Sequence, residues 1–315
     1  MKALFEVDFF VIGAARAGST SLYNYLGQHP DIFLPLVKEC NYFSRVESMI
    51  KEVYRDPKEG REYHMRIIRS YEVYKGLFKN ARPGQSKGEV SPSYLFDIQT
   101  AQRIKAHNPK ARIVVSLRNP VERAYSHFQL HNATGYEPCD DFIQALKAPK
   151  NSIWGGGNIY LEASQYYRQL KPYYDLFPRE QIHVMIYEEW TQNAQTALKE
   201  LFGFLGLDPN ADFDKPHAHN RGVRGKHKGL LNFIRKIRIN ELINKLLPRK
   251  ATDLIKEKLF IDDSALDPLS DEVYQELLKG FVEDIRQTEA LSGLPLSRYW
   301  QIENIAPPVK ATARD

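Results

Sequence analysis

The sequence has few cysteines, no long apolar run and little excess charge. Its two cysteines, Cys40 and Cys139, are too few for a disulfide framework, and we expect two thiols in a reducing compartment. No apolar run approaches the roughly 20 residues that span a bilayer, and Glu6 and Asp8 interrupt the apolar N-terminus of a would-be signal peptide. The net charge of +5 permits an anionic ligand but does not select one. These features indicate a cytoplasmic protein with at most peripheral membrane contact. Neither zinc-finger spacing nor an RNA-recognition motif is present, so no nucleic acid is expected as a partner.

Short apolar strands alternate with amphipathic helices along the 315 residues. This alternation predicts an α/β fold with a parallel sheet flanked by helices on both faces. The predicted strands are 7–13, 85–89, 112–117 and 182–187, and 31–34 is predicted to be a short extended stretch. The predicted helices are 19–26, 61–80, 101–106, one opened by Asn119-Pro120, 160–177, 196–205, 230–247 and 271–292. We predict a single domain over 1–305, with a core at 7–230, a helical part at 230–305 and a disordered tail at 306–315.

The first loop, Gly13–Thr20, reads GAARAGST and has the frame of a phosphate-binding loop, but Ser19 stands where the lysine is expected. Glycines let successive N–H groups point inward, and the following helix adds a partial positive charge. The one cation in the loop is Arg16, and the strand 112–117 leads into Arg118 rather than a magnesium-binding aspartate. The pattern predicts an anion site without a metal; a glycine turn without a ligand is the alternative.

A second polar motif, Arg118–Ser126, follows the central strand and reads RNPVERAYS. Arg118 stands at the carboxyl end of a strand, where open α/β sheets bind ligands. Pro120 opens a helix, and Ser126 lies about two turns along it. A guanidinium beside a hydroxyl suits a phosphate. The alternative is an arginine that caps a strand and a serine that packs within a helix.

Together the two motifs resemble those of the sulfotransferases that use 3′-phosphoadenosine 5′-phosphosulfate (PAPS). The first family signature, K-x-G-[ST]-[ST]-x-L, is matched by Arg16–Leu22, with arginine in place of lysine. The second, R-x-P-x-x-R-x-x-S, is matched at Arg118, Pro120, Arg123 and Ser126. The resemblance is closest to the glycan-type, heparan-sulfate-like and bacterial branch. It implies a P-loop-kinase-like sulfotransferase fold, PAPS as donor, adenosine 3′,5′-bisphosphate as product and no required metal.

The resemblance also implies roles for individual residues. Glu39, in the segment KECNYF, resembles the catalytic glutamate and is the expected general base. Arg16 is expected to stabilise charge on the bridging oxygen, although an arginine cannot donate a proton as the family's lysine can. The residues expected to bind PAPS are Arg16, Ala17, Gly18, Ser19, Thr20 and Ser21 at the 5′-phosphosulfate, Arg118 and Ser126 at the 3′-phosphate, Tyr187 in the late strand, and Arg224, Gly225 and Lys226 in a basic loop over the 3′-phosphate.

The acceptor stays open. The segment 88–94 resembles the family element E-K-[ST]-P-x-Y, but Val90 replaces its lysine, which puts a heparan-type acceptor in doubt. A glycan, a lipid or a small molecule with a hydroxyl or an amine is compatible with the sequence, and no oligomeric state is indicated. The basic amphipathic stretch 228–249 is compatible with an anionic membrane, with a cover over the acceptor cleft, or with a helix packed on its own domain.

Alternatives remain for the base and for the function. The other candidate bases are His29, His64 and His127. Three further histidines, His217, His219 and His227, could suggest a metal site. We do not expect one, because their spacing is irregular and no cysteine lies near them. A P-loop small-molecule kinase and a metal-independent nucleotide-binding module are the rival functions.

Overall fold

The computed structural model describes residues 5–45, 68–133, 137, 139–148, 159–211, 224–225, 261–262 and 268–305. Its main sheet has five strands: β1 Phe9–Gly13, β2 Ile32–Phe33, β3 Ser86–Val90, β4 Arg112–Leu117 and β5 Ile182–Ile186. All neighbours are parallel, in the order β2-β3-β1-β4-β5. A separate antiparallel pair joins β6 Arg224–Gly225 to β7 Ile261–Asp262. The four predicted strands are confirmed to within two residues at each end, and the predicted extended stretch 31–34 contains β2.

The described helices are α1 Ser19–Leu26, α2 Tyr71–Gly76, α3 Ser93–Phe96, α4 Thr100–His107, α5 Pro120–Ala133, α6 Phe142–Lys147, α7 Ile159–Glu162, α8 Tyr166–Leu176, α9 Tyr187–Trp190, α10 Ala194–Phe204, α11 Asp271–Lys279, α12 Val282–Ser292 and α13 Leu296–Tyr299. A short 3₁₀ turn, Arg179–Gln181, precedes β5. In the described part of the chain, no helix is both long and apolar enough to cross a membrane.

The alternation of side chains along β1 divides the core between the two faces of the sheet. Phe10 and Ile12 join one buried cluster, which also includes residues of α3, α4, α8 and α12. Phe9 and Val11 join the opposite cluster, which includes residues of α1 and α10. The predicted α/β architecture, a parallel sheet with helices on both faces, is therefore confirmed.

The backbone of β3 lies close to an aromatic ring of β1, and this contact sets the position of β3 beside β1. Gly88 is paired in register with Phe9, and a Cβ added at Gly88 would lie 2.0 Å from the Phe9 ring. Any larger residue would push β3 away from β1. This contact matters for the site because β3 leads directly into the segment beside Glu39.

Three helix predictions need correction. The helix predicted at 160–177 is broken after α7, where the buried hydroxyl of Ser164 accepts a hydrogen bond from a buried arginine. The helix predicted at 271–292 is interrupted at Gly280, which separates α11 from α12. Within the helix predicted at 61–80, the described residues form a helix only over Tyr71–Gly76, capped by Ser70, which accepts a hydrogen bond from the Val73 N–H; 61–67 lies outside the described residues.

Two strand and loop predictions also change. Tyr187 begins α9 rather than ending β5. Arg224 and Gly225, which are predicted to lie in a basic loop, form the short strand β6. The predicted helix 230–247 and the predicted tail 306–315 lie outside the described residues. Cys40 and Cys139 are both thiols, as predicted.

Candidate functional site

The predicted site residues gather at the carboxyl edge of the parallel sheet. β1 leads into the loop that contains Arg16, and β4 leads into Arg118. The Glu39 N–H donates to the carbonyl of Val90, the last residue of β3, at 3.0 Å. Because the strands are parallel, three segments that are distant in sequence meet at one edge, where ligands of open α/β sheets bind.

The N-terminus of α1 is open toward the first loop. Its N-cap is Gly18, which has left-handed backbone angles (φ 82°) and contributes no side-chain cap. The first N–H groups of a helix have no partner within the helix, so they carry a partial positive charge that favours an anion. Ser19 and Ser21 are buried, whereas Thr20 is exposed.

Only glycine fits at the turn before α1. A Cβ added at Gly18 would lie 2.4 Å from the Trp190 ring, and the positive φ disfavours other residues independently. The Trp190 indole N–H donates to the Ser116 hydroxyl at 2.8 Å, which fixes the ring over the loop. Sequence reasoning missed Trp190, because nothing near it in the sequence indicates that it covers the loop.

Arg16 connects the two sequence motifs. Its Nε donates to the Ser126 hydroxyl at 3.1 Å, across 110 residues of sequence. Its backbone carbonyl accepts a hydrogen bond from Nη1 of Arg118 at 3.3 Å. Burial, and then the charge of Arg118, lowers the pKa of Arg16 to about 10. Arg16, Arg118 and Ser126 therefore form one cationic cluster, in which Arg16 remains charged at neutral pH.

The charge of this cluster is only partly balanced. Arg118 lies over the ring of Tyr187, with 5.0 Å between its guanidinium carbon and the ring centre, and pairs with Glu122 at 3.2 Å. Among the described residues no carboxylate pairs with Arg16. Two guanidinium groups, a hydroxyl and an open helix N-terminus thus converge with one opposing carboxylate, an arrangement that suits an anion with more than one negative charge.

Arg123, the second arginine of the later motif, has a different position. It is fully buried and donates to the Ser164 hydroxyl at 2.6 Å and to the Tyr160 carbonyl at 2.5 Å. Its Nη1 also lies 3.4 Å from the Ala15 carbonyl in the first loop. Burial lowers the pKa of Arg123 to about 10. Arg123 therefore anchors the loop to α5 and α7, a role that its place in the motif did not reveal.

The turn that carries Arg118 is held from the C-terminal helices. Asn119 caps α5, since its side-chain oxygen accepts the N–H groups of Val121 and Glu122 at 3.0 and 3.2 Å. The carboxylate of Glu188 accepts the Asn119 N–H at 2.7 Å and the Trp300 indole N–H at 3.3 Å. These contacts connect Trp300, in the C-terminal segment, to the turn that carries Arg118.

Glu39 lies on the segment that follows β2, whereas the cationic cluster follows β1 and β4. Glu39 has a left-handed backbone (φ 61°), forms an ion pair with Lys38, and its side chain is 27% exposed. Glu89, the other glutamate near this edge, is 1% exposed and cannot reach an acceptor. The structure therefore leaves Glu39 accessible at the sheet edge, one strand away from the loop that contains Arg16.

Two of the alternative bases, His29 and His127, are buried. His29 is buried, with Nε2 3.1 Å from the Asp208 carbonyl and Nδ1 accepting the Asp31 N–H, on the far side of α1 from its N-terminus. His127 is buried in ring contacts with His131 and Tyr160. The described ranges contain no group of three His, Cys, Asp or Glu side chains that could hold a metal.

Several predicted site residues are not tested by these contacts. The backbone of β6 lies beside α5, the helix that carries Ser126, so the position of Arg224 and Gly225 is compatible with the prediction. The remaining ones lie outside the described residues: His64, His217, His219, Lys226 and His227.

Comparison with known proteins adds a family and a fold. A family model described as "Sulfotransferase family" matches residues 8–212. The chain is 25% identical over 246 residues to carbohydrate sulfotransferase 15 of Homo sapiens, covering 64% of this chain and 44% of that protein. It is 24% identical over 223 residues to the bifunctional heparan sulfate N-deacetylase/N-sulfotransferase of Drosophila melanogaster, covering 65% of this chain and 20% of that protein. The chain thus spans less than half the length of either relative.

A solved structure is similar over nearly the whole chain. The crystal structure of a sulfotransferase from Alicyclobacillus acidocaldarius superposes with a TM-score of 0.67 and 27% identity, covering 95% of this chain and 100% of that one. The P-loop-kinase-like sulfotransferase fold implied by the motifs is confirmed. The likeness to carbohydrate and heparan sulfate sulfotransferases and to a bacterial one agrees with the branch that the motifs indicated.

Proposed function

The chain belongs to the sulfotransferase family, and we propose that it transfers the sulfuryl group of PAPS to a hydroxyl or an amine of an acceptor. The observation that carries this proposal is the hydrogen bond from Arg16 to Ser126, which unites the two anion motifs. A glycine turn and an isolated strand cap would not connect Arg16 to both Ser126 and Arg118. A ligand with two separate anionic ends accounts for the whole arrangement.

The residues present fit a nucleotide with a 5′-phosphosulfate and a 3′-phosphate. The N–H groups of the first turn of α1, with the hydroxyls of Ser19, Thr20 and Ser21, are assigned to the 5′-phosphosulfate. Arg118 and Ser126 are assigned to the 3′-phosphate, with Tyr187 beneath the guanidinium of Arg118. Arg224, Gly225 and Lys226 are proposed to close over the same phosphate. When bound, PAPS supplies an activated sulfuryl group, and no metal is required.

The protein's part in the reaction is positioning, proton removal and charge stabilisation. Glu39 is accessible and paired with Lys38. It removes the proton of the acceptor's hydroxyl or amine as the acceptor's oxygen or nitrogen attacks sulfur in line. Arg16 holds its positive charge between the two anionic ends and stabilises charge on the bridging oxygen of the departing 5′-phosphate. The open N-terminus of α1 acts in the same direction.

The acceptor proposed is a glycan. The relatives' names refer to carbohydrate and heparan sulfate, which supports a sugar. Val90, at the position of the heparan-type lysine, is 2% exposed and packs into the core, so it cannot contact an acceptor. Lys38 places an ammonium beside Glu39 instead. A lipid or a small molecule remains the alternative, and the cytoplasmic location with peripheral membrane contact stays a prediction.

Titration with adenosine 3′,5′-bisphosphate tests the proposal before the acceptor is known. We expect binding by the wild type and a loss of about 100-fold in Arg118→Ala, because a charged contact to phosphate contributes on the order of 1.5–3 kcal/mol. Arg82→Ala is the matched control, since Arg82 is an exposed arginine that bonds to the Pro30 carbonyl before β3. A wild type that does not bind the nucleotide would refute the enzyme assignment.

Turnover with labelled PAPS and a panel of glycans, lipids and phenols then tests the chemistry. Glu39→Gln should lower kcat by about 100-fold or more with little change in nucleotide affinity, because a general base contributes on the order of 10²–10⁴. EDTA should leave the rate unchanged, whereas a kinase that depends on magnesium would lose activity. If kcat survives in Glu39→Gln, the base is another residue.

A further inference from the structure

A buried carboxylate that the mechanism does not use lies in the middle of the core. Glu89, on β3, is 1% exposed and accepts hydrogen bonds from three hydroxyls. Tyr74 donates at 2.5 Å, Ser91 at 2.7 Å and Tyr94 at 2.5 Å. Burial raises the pKa of Glu89, and the three hydroxyl hydrogen bonds oppose that rise. Burial of a carboxyl group costs free energy, so such a group is found in a core when its hydrogen bonds are satisfied.

Two of the three hydroxyls connect Glu89 to the backbone of the segment that follows Glu39. Ser91 and Tyr94 donate to the same carboxylate oxygen, and their own oxygens accept backbone N–H groups. The Asn41 N–H donates to Ser91 at 3.2 Å, and the Phe43 N–H donates to Tyr94 at 3.2 Å.

The other carboxylate oxygen acts through an aromatic ring. It accepts the hydroxyl of Tyr74, whose ring stacks on Tyr42 with centroids 4.3 Å apart and 8° between the planes. One buried carboxylate is therefore connected to three consecutive residues, 41–43, through two backbone amides and one ring.

The segment needs such support because its backbone is strained. Glu39 and Asn41 have φ values of 61° and 53°, a left-handed conformation that residues other than glycine adopt infrequently, glutamate less often than asparagine. The Asn41 side chain donates to the Glu39 carbonyl at 2.7 Å and accepts a hydrogen bond from Ser93. The network that begins at Glu89 thus ends at the backbone of the proposed base.

We propose that Glu89 is a positioning residue that sets the conformation of the loop carrying Glu39. This inference rests on the proposed function, in which Glu39 removes the acceptor proton. Glu89 neither touches the acceptor nor moves a proton; it aligns the two hydroxyls that hold the loop amides. Displacement of a catalytic group by about 1 Å is enough to lower turnover by about 100-fold.

Two variants separate positioning from a general effect on the core. Ser91→Ala and Tyr74→Phe each remove one hydroxyl that donates to Glu89, but only Ser91 also accepts a loop amide. With labelled PAPS and an acceptor that the panel identifies, we expect kcat to fall about tenfold or more in Ser91→Ala and less than about twofold in Tyr74→Phe. Affinity for adenosine 3′,5′-bisphosphate should be unchanged in both.

Glu89→Gln supplies the conservative comparison. Glutamine keeps an acceptor oxygen for Ser91 and Tyr94 and presents an amide to Tyr74. We expect it to retain kcat within about threefold of the wild type, whereas Glu89→Leu should lose as much as Ser91→Ala or more. A loss in Glu89→Gln equal to that in Glu89→Leu would mean that the charge itself is needed, and the positioning role would be wrong.

Amide hydrogen exchange gives a measurement that does not depend on turnover. Peptides covering 36–45 should exchange faster in Ser91→Ala than in Tyr74→Phe at equal global stability. Equal exchange and equal kcat in the two variants would overturn the inference even if the wild type is fully active. A wild type that transfers no sulfuryl group would instead refute the proposed function, and faster exchange in Ser91→Ala would still support the structural role of Glu89.

Discussion

Replacement of Arg16 by lysine, the residue of the family signature, is the sharpest probe of the cationic cluster. Lysine keeps the positive charge but has no nitrogen at the position from which Arg16 Nε reaches Ser126, 3.1 Å away. The change therefore removes one specific hydrogen bond beside the proposed 3′-phosphate contact while leaving most of the electrostatic attraction in place.

The expected effect depends on which end of the ligand is present. Loss of one charge-assisted contact costs on the order of 1.5 kcal/mol, or about tenfold in affinity. We expect Arg16→Lys to weaken adenosine 3′,5′-bisphosphate about tenfold and to leave adenosine 5′-monophosphate within about twofold, because the lost hydrogen bond orients Ser126. The kcat should fall less than tenfold, because the charge near the bridging oxygen is kept.

Isothermal titration of wild type and variant with both nucleotides gives the four affinities of a thermodynamic cycle. Lys199→Arg is the control, because it exchanges one basic residue for another at an exposed position in α10. An equal loss for both nucleotides would show that Arg16 serves the 5′ end alone. Unchanged affinities with a large loss of kcat would refute the reasoning from the Ser126 contact and assign Arg16 wholly to the leaving group.

Two further predictions concern stability. Gly18→Ala should destabilise the protein by about 2–4 kcal/mol, from a left-handed alanine and overlap with Trp190, and should abolish nucleotide binding. Gly84 has a φ of +87° and open space around it, so Gly84→Ala should show only the destabilisation from a left-handed alanine. Equal urea midpoints for the two variants would contradict the steric argument. Burial raises the pKa of Asp284 from 3.8 to about 6, so its charge destabilises the fold above about pH 6 and this cost disappears as the pH falls toward 4. As the pH rises from about 4 to above about 6, the free energy of unfolding of Asp284→Asn should therefore increase relative to that of the wild type by on the order of 2–3 kcal/mol. A difference between the two in urea unfolding that does not change with pH would refute this prediction.

The elements that local sequence predicts well are the ones whose signals lie within a few residues. β1 and β4 are short runs of apolar residues, and the turn after β1 needs glycine at Gly18 for its positive φ. These runs, the loop and the proline that opens α5 were all predicted at or near their observed positions. The same signals cannot locate a helix break, because Gly280 and Ser164 interrupt apolar patterns that otherwise continue.

The amino-acid sequence by itself determined the family, the alternation of strands and helices, and the two anion motifs at the ends of β1 and β4. Only the tertiary structure decided that Arg16 meets Ser126, that Arg123 anchors the loop instead of facing the ligand, and that Glu89 connects to residues 41–43. The physical reason is that sheet order places β3, β1 and β4 side by side. Contacts between residues that are distant in sequence depend on that order, whereas glycine turns and apolar runs do not.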